Sequence, residues 1–107
     1  MSTWIYFLNP PRDNFAATIT AEEAAIMSEH GKYLRELLAE GKLILAGPTL
    51  GPGVNQGIAI FEADDAEEAA AILANDPSIR AGLHQGEVRP MVMSIVCSEL
   101  TPRGQHQ

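Results

Sequence analysis

The stretch His30-Gly31-Lys32-Tyr33-Leu34-Arg35-Glu36-Leu37-Leu38-Ala39-Glu40-Gly41-Lys42-Leu43-Ile44-Leu45-Ala46-Gly47-Pro48 changes its hydrophobic period at Gly41. Before the glycine, Ile26, His30, Tyr33, Leu34 and Leu37 fall on one arc at three- and four-residue spacing. Glu22, Glu29, Lys32, Glu36 and Glu40 lie mostly outside that arc. This is the pattern of a helix that buries one stripe. After the glycine, Lys42 to Ala46 is a short apolar run and reads as a strand. Gly41 is the natural stop between the two. Residues 47–56 hold three of the chain's nine glycines together with Pro48 and Pro52, so they form a loop.

Working backwards, Thr20 and Glu23 have capping-box spacing and open this first long helix, which runs from Thr20 to Glu40. A long loop from Asn9 to Ile19 precedes it and carries Arg12 and Phe15. Trp4 to Leu8 is aromatic and branched, ends at Asn9-Pro10-Pro11, and reads as strand one. Working forwards, Gly57 to Phe61 is strand three. Asp65 and Glu68 repeat the capping spacing, so a second helix runs to about Asn75. Asp76-Pro77 breaks it, because a residue before proline avoids helical dihedrals. A turn from Pro77 to Leu83 follows, and Val88 to Cys97 reads as strand four, with Pro90 near its start. The order βαββαβ predicts an α+β, ferredoxin-like sandwich with both helices on one face of the sheet. The expected division is one domain over residues 1–100 and a polar tail over 101–107.

The 107 residues suit a single core, and 46% hydrophobic with 20% charged residues is ordinary globular composition. The formal net charge of −7 repels phosphate backbones and acidic membrane surfaces, and the basic residues are scattered, so neither nucleic acid nor membrane is expected as a partner. A single cysteine, Cys97, can form neither an internal disulfide nor a cysteine-rich zinc site. No signal peptide and no apolar run of membrane-spanning length is visible, which makes the cytoplasm the expected compartment.

An antiparallel sheet with one wet face alternates apolar and polar residues. Trp4 to Leu8, Ile58 to Phe61 and Met91 to Cys97 do not. Both faces of the sheet therefore require cover, and two helices cover only one. A second subunit packed sheet to sheet is the expected solution, since an apolar patch of that size rarely stays exposed.

His30 sits in the middle of the helical arc, so its ring points toward the sheet. An inward histidine requires a hydrogen-bond partner. A carboxylate partner would fix its tautomer, as in a general base; a backbone partner would make it a structural histidine. Asp76 is the candidate carboxylate. It also fits a plain helix N-cap followed by proline at the first helical position. Tyr33 lies one turn from His30 and could hydrogen-bond or simply pack. Gly47-Pro48-Thr49 could bring backbone close to a ligand or could be a hairpin turn. Arg12, Arg80 and Arg89 could hold an anionic substrate, and Phe15 could close over a pocket. His84 reads as a surface loop residue, and His106 belongs to the tail. Gly51-Pro52-Gly53-Val54-Asn55-Gln56-Gly57 has neither the spacing of a phosphate loop nor a following helix. His30, Asp76 and His84 contain no short-spaced ligand pair, so no metal site is expected. Cys97, in a strand beside Val96, reads as core.

His30 to Pro48 resembles the signature of the YCII-related (YciI-like) family: a helical histidine, an aromatic three residues later, then Gly, a strand and Gly-Pro. Asp76-Pro77-Ser78-Ile79-Arg80-Ala81-Gly82-Leu83 and the Val88-Arg89-Pro90 strand resemble its second half. Pro11-Arg12 and Phe15-Ala16 resemble a subgroup with a longer first loop. The resemblance implies a dimeric α+β barrel with a pocket at each helix–sheet junction. It also implies a His–Asp acid/base pair, carried here by His30 and Asp76. Tyr33, Gly47, Pro48, Arg12 and Phe15 are the candidate substrate-binding residues. The family includes a dehydrochlorinase that eliminates HCl from a chlorinated hydroxyquinol without a cofactor, and related muconolactone-isomerase-like barrels move protons on small ring compounds. The expected function is thus a cofactor-independent lyase or isomerase acting on a small cyclic or phenolic metabolite. The alternative is a non-catalytic barrel that binds a small molecule or a partner.

Overall fold

The computed structural model describes residues 2–100. The expected polar tail of residues 101–107, with His106, lies outside the described residues. Four strands form one sheet in the order β2-β3-β1-β4. They are β1 (Ser2–Asn9), β2 (Leu43–Pro48), β3 (Gly57–Ala63) and β4 (Gln85–Met91), and all neighbours are antiparallel. The helices are α1 (Phe15–Thr18), α2 (Ala21–Ala39), α3 (Ala66–Ala74) and α4 (Pro77–Arg80). This is the ferredoxin-like α+β architecture, with two short helices added in the connections.

The ends of α2 form as local chemistry dictates. Thr20 accepts from the Glu23 backbone N–H while the Glu23 carboxylate accepts from the Thr20 N–H, which completes the capping box. At the other end Gly41 takes φ 80°, a left-handed conformation that costs glycine nothing. Its N–H donates to Leu38 and the Lys42 N–H donates to Leu37, closing a Schellman motif that turns the chain straight into β2. At α3, Asp65 accepts from the Glu68 N–H and caps the helix.

The core lies between the helices and one face of the sheet. Tyr6, Leu8, Leu43, Ala59, Phe61 and Ala63 from the strands meet Leu37, Ala69 and Ile72 from α2 and α3. Successive strand residues point to opposite faces. Ile5 and Phe7 therefore project from the other face, paired with Ile60 and Ile58 across the β1–β3 ladder. On the β4 side the same two residues face Arg89 and Glu87. The outer face is thus apolar at Ile5, Phe7, Ile58 and Ile60, polar at Thr3 and Glu62, and charged along β4.

Three expectations require correction. Strand four is Gln85–Met91 instead of Val88–Cys97. β4 is an edge strand that pairs with β1 alone among the described strands, and that ladder ends at Thr3↔Met91. Beyond Met91 the chain leaves the sheet, with Val92 83% and Ile95 99% exposed, and ends in a 3₁₀ turn over Ser98–Leu100. Cys97 is exposed there and is not part of the core. The loop from Asn9 to Ile19 also contains helix α1, entered through Asn14 at φ 55°.

Phe61 is completely buried and tilts against Tyr6 at a ring-centroid distance of 5.7 Å. Phe61→Ala is expected to cost roughly 3–5 kcal/mol in urea unfolding through lost burial and the cavity left behind. An unchanged midpoint would contradict this account of the core.

Candidate functional site

The fold brings His30 and Asp76, 46 residues apart in sequence, into contact: His30 Nδ1 lies 2.9 Å from Asp76 Oδ1 and 2.8 Å from Oδ2. The arc of α2 aims the histidine at the sheet, and the Pro77 break places the aspartate at the start of α4. Asp76 Oδ1 also accepts from the Ser78 backbone N–H and the Ser78 hydroxyl, each at 2.9 Å. The Tyr6 hydroxyl of β1 donates to Oδ2 at 2.7 Å. One carboxylate thus both caps α4 and lies against the His30 ring.

Asp76 is fully buried, and an ionised carboxylate in that position is costly unless its oxygens are satisfied. Burial alone pushes its pKa up. The hydrogen bonds from His30 and Tyr6, the charge on His30 and the Ser78 N–H outweigh it, so the carboxyl is held below its ordinary value. Burial and the adjacent Asp76 charge push the Tyr6 hydroxyl well above the ordinary tyrosine range, so Tyr6 is a permanent donor. With the carboxylate only able to accept, the His30 Nδ1 carries a proton and donates it. That leaves Nε2 as the nitrogen with a lone pair.

His30 lines a cavity of about 520 Å³ at the end of the sheet where β1 and β2 finish and β3 begins. This is an ordinary volume for a small-molecule site. Its wall is mostly apolar, with Leu8, Ile19, Met27, Leu34 and Ile58 among its lining residues. Phe15, Gly47 and Pro48 line the same space. A side chain on Gly47 would meet no atom within 4 Å, so the glycine leaves the wall open there.

Tyr33 and Arg12 do not line this cavity. The Tyr33 hydroxyl donates to the Ile72 carbonyl at 2.7 Å, joining α2 to α3, and burial followed by the Asp76 charge pushes its pKa up to about 12. Arg12 is a brace. Its guanidinium forks onto Glu23 at 2.9 and 2.7 Å and also donates to the Thr18 hydroxyl and carbonyl. The bonds from Arg12, followed by the one from the Thr20 backbone N–H, hold the Glu23 carboxyl down at about 2. The same guanidinium lies 5.2 Å from the Phe15 ring centroid. Arg12 thus fixes the segment that carries Phe15 against the cavity.

Two residues of the site were not singled out by sequence reasoning. Tyr6 is one. β1 does not alternate in sequence, so nothing there marks which face Tyr6 takes or that its hydroxyl partners Asp76. His84 is the other, and it corrects the expectation of a surface residue: it is 7% exposed and lines the cavity. The Phe15 ring meets it edge-on at 5.3 Å, and its backbone N–H donates to the Ser78 carbonyl. Its Nδ1 is buried with no hydrogen-bond partner among the described residues. Burial, reinforced by His30, pushes its pKa below the ordinary histidine value against the opposing charges of Asp76 and Glu23. Among the described residues, no group of three or more His, Cys, Asp or Glu side chains is arranged to hold a metal ion. No helix among them is long and apolar enough to cross a membrane.

Because the folded-state pKa of Asp76 lies below its ordinary value of 3.8, its stabilisation is fully present above that pH and is lost as pH falls through the folded value. Asp76→Asn is expected to lower stability at pH 7 by roughly 3 kcal/mol, because an amide turns a donor toward His30 or Tyr6. The gap between the two proteins should narrow below about pH 4. Urea unfolding at pH 7 and pH 3 checks both parts.

Comparison with known proteins places the chain in context. No curated protein sequence matches it. A solved structure of 5-chloro-2-hydroxyhydroquinone dehydrochlorinase (TftG) from Burkholderia phenoliruptrix AC1100, in complex with 2,5-dihydroxybenzoquinone, is similar to it. The two share 27% sequence identity with a TM-score of 0.64, over 86% of this chain and 94% of that one. The model of the YCII-related domain matches residues 3–92, and the chain belongs to that family.

Proposed function

We propose that the chain is a cofactor-independent lyase or isomerase that moves a proton on a small cyclic or phenolic compound, with His30 as general base and Asp76 as its positioning residue. The observation that carries this reading is the His30–Asp76 contact: Nδ1 is held by a buried carboxylate while the ring forms part of a cavity wall. That leaves Nε2 to accept a proton from a ligand hydroxyl or carbon. In an elimination, the ligand reacts as the keto tautomer that has the leaving group on a saturated ring carbon. The electron pair left when His30 takes the proton forms a ring double bond, the leaving group departs as an anion, and His30 then gives its proton to solvent. In an isomerisation, the same proton returns to another carbon. Asp76 keeps the imidazole oriented and balances the charge it gains. The apolar wall excludes water and disfavours spread of charge into solvent. The likeness to a dehydrochlorinase seen with a dihydroxybenzoquinone supports a ring compound bearing several oxygens as the substrate class.

The test is a thermal-shift screen of chlorinated hydroxyquinols, phenols and lactones on wild type and His30→Ala. A bound compound raises the apparent Tm of both proteins. The expected result is that wild type consumes a hit while His30→Ala binds it and turns it over about 10²–10⁴ times more slowly. A hit bound equally and consumed by neither would make the chain a binding module. Unfolding of His30→Ala would make the histidine structural.

The same reading includes a homodimer packed sheet to sheet. The half-buried apolar residues Ile5, Phe7 and Ile58 on the outer face, and the exposed Val92 and Ile95 beyond β4, support it. Phe7→Glu on that face is expected to give a folded monomer in sedimentation velocity where wild type sediments as a dimer. A wild-type monomer would remove this part of the reading.

A further inference from the structure

His84 sits in the cavity wall in an unusual state for a histidine. It is more than nine-tenths buried, its ring is met edge-on by Phe15, and its Nδ1 has no hydrogen-bond partner among the described residues. A buried N–H without an acceptor costs more than a buried lone pair without a donor in an apolar wall, and a doubly protonated ring would add an uncompensated charge. The physical solution is one neutral tautomer, with Nδ1 bare and the proton on Nε2. Because Nδ1 is closed off, the edge that the ring turns to the cavity is the one that carries Nε2–H. His30 faces the same cavity in the opposite role. Its Nδ1–H is bound to Asp76, and its Nε2 presents a lone pair.

We propose that His84 is the hydrogen-bond donor of the site: its neutral Nε2–H holds an oxygen of the ligand and stabilises that oxygen when it carries negative charge. This deepens the proton-transfer reading and rests on it. As His30 Nε2 removes a proton, the pair of electrons left behind delocalises onto a ring oxygen, and a fixed donor aimed at that oxygen lowers the barrier without moving. A neutral imidazole suits the task better than a charged one, because it binds the oxyanion without protonating it. The pairing selects the substrate class. The ligand is a planar ring with one acidic hydrogen directed at His30 and one ionisable or carbonyl oxygen directed at His84, with Phe15 closing over it. Simple hydrocarbons and aliphatic acids lack the second oxygen in a conjugated position.

Two substitutions separate this role from packing. His84→Phe keeps the ring's bulk and removes the donor. His84→Gln places an amide N–H close to where Nε2–H stood. The probe is 4-nitrophenol, whose visible absorption reports whether the bound form is the phenolate. Wild type is expected to bind the phenolate. His84→Phe should be at least as stable as wild type to heat, having lost an unpaired nitrogen, yet bind the phenolate at least about tenfold more weakly. His84→Gln should restore most of that loss. Nitrogen-15 correlation spectra of the histidine rings in the free protein at pH 7 should show His84 as the neutral Nε2–H tautomer.

Equal phenolate affinity in wild type and His84→Phe would overturn the donor role and leave the proton-transfer reading standing. A His84 ring found charged or protonated on Nδ1 would overturn it as well. If wild type binds neither phenol nor phenolate, the reading of the cavity as a site for phenolic rings falls, and the role of His84 falls with it.

Discussion

The Asp76 carboxylate is enclosed by donors that come from separate parts of the chain. Tyr6 arrives from β1, His30 from α2, and the Ser78 N–H and hydroxyl from the first turn of α4. A buried carboxylate with any of these missing would favour taking up a proton, and the His30 ring would lose the acceptor that fixes its tautomer. The sheet, the long helix and the short helix are thus tied at one point. That point lies directly behind the cavity wall, so the interaction that holds the elements together also sets the chemistry of the surface they enclose.

A second tie determines how the cavity is closed. Glu23 completes the capping box of α2 and at the same time receives the Arg12 guanidinium. Arg12 in turn binds Thr18 at the end of α1 and lies against Phe15. A local helix-capping interaction therefore anchors the segment that closes the site. Exposed ion pairs are worth little in isolation, but this one is bidentate and shared with a helix cap, so its value is positional. Without it, the segment from Asn9 to Ile19 would have few reasons to lie on the cavity.

The two histidines of the cavity differ only through their surroundings. His30 has a buried carboxylate on one nitrogen, and His84 has nothing on its buried nitrogen. Under the proposed function both rings are neutral and differ in which nitrogen carries the proton.

How much was legible in sequence depended on range. The capping box at Thr20, the Gly41 stop and the Pro77 break act within a few residues, so the helices and the βαββαβ order follow from the chain alone. The arc that turns His30 inward was readable for the same reason, since helical period is local. The resemblance of His30 to Pro48 and of Asp76 to Leu83 to one family added their pairing as an implication. Spacing could not supply it, because contact over 46 residues is set by packing. The same limit explains the errors. β4 ended at Met91 because its ladder with β1 stops at Thr3, which no property of Met91 to Cys97 reveals. His84 looked like a loop residue because it is one; only the approach of Phe15 and α4 buries it. The sequence by itself determined the two long helices, the existence of four strands and their order. Tertiary structure decided the ends of the edge strand, the hydroxyl that completes the Asp76 shell and the second imidazole of the cavity, because each depends on what another segment brings to it.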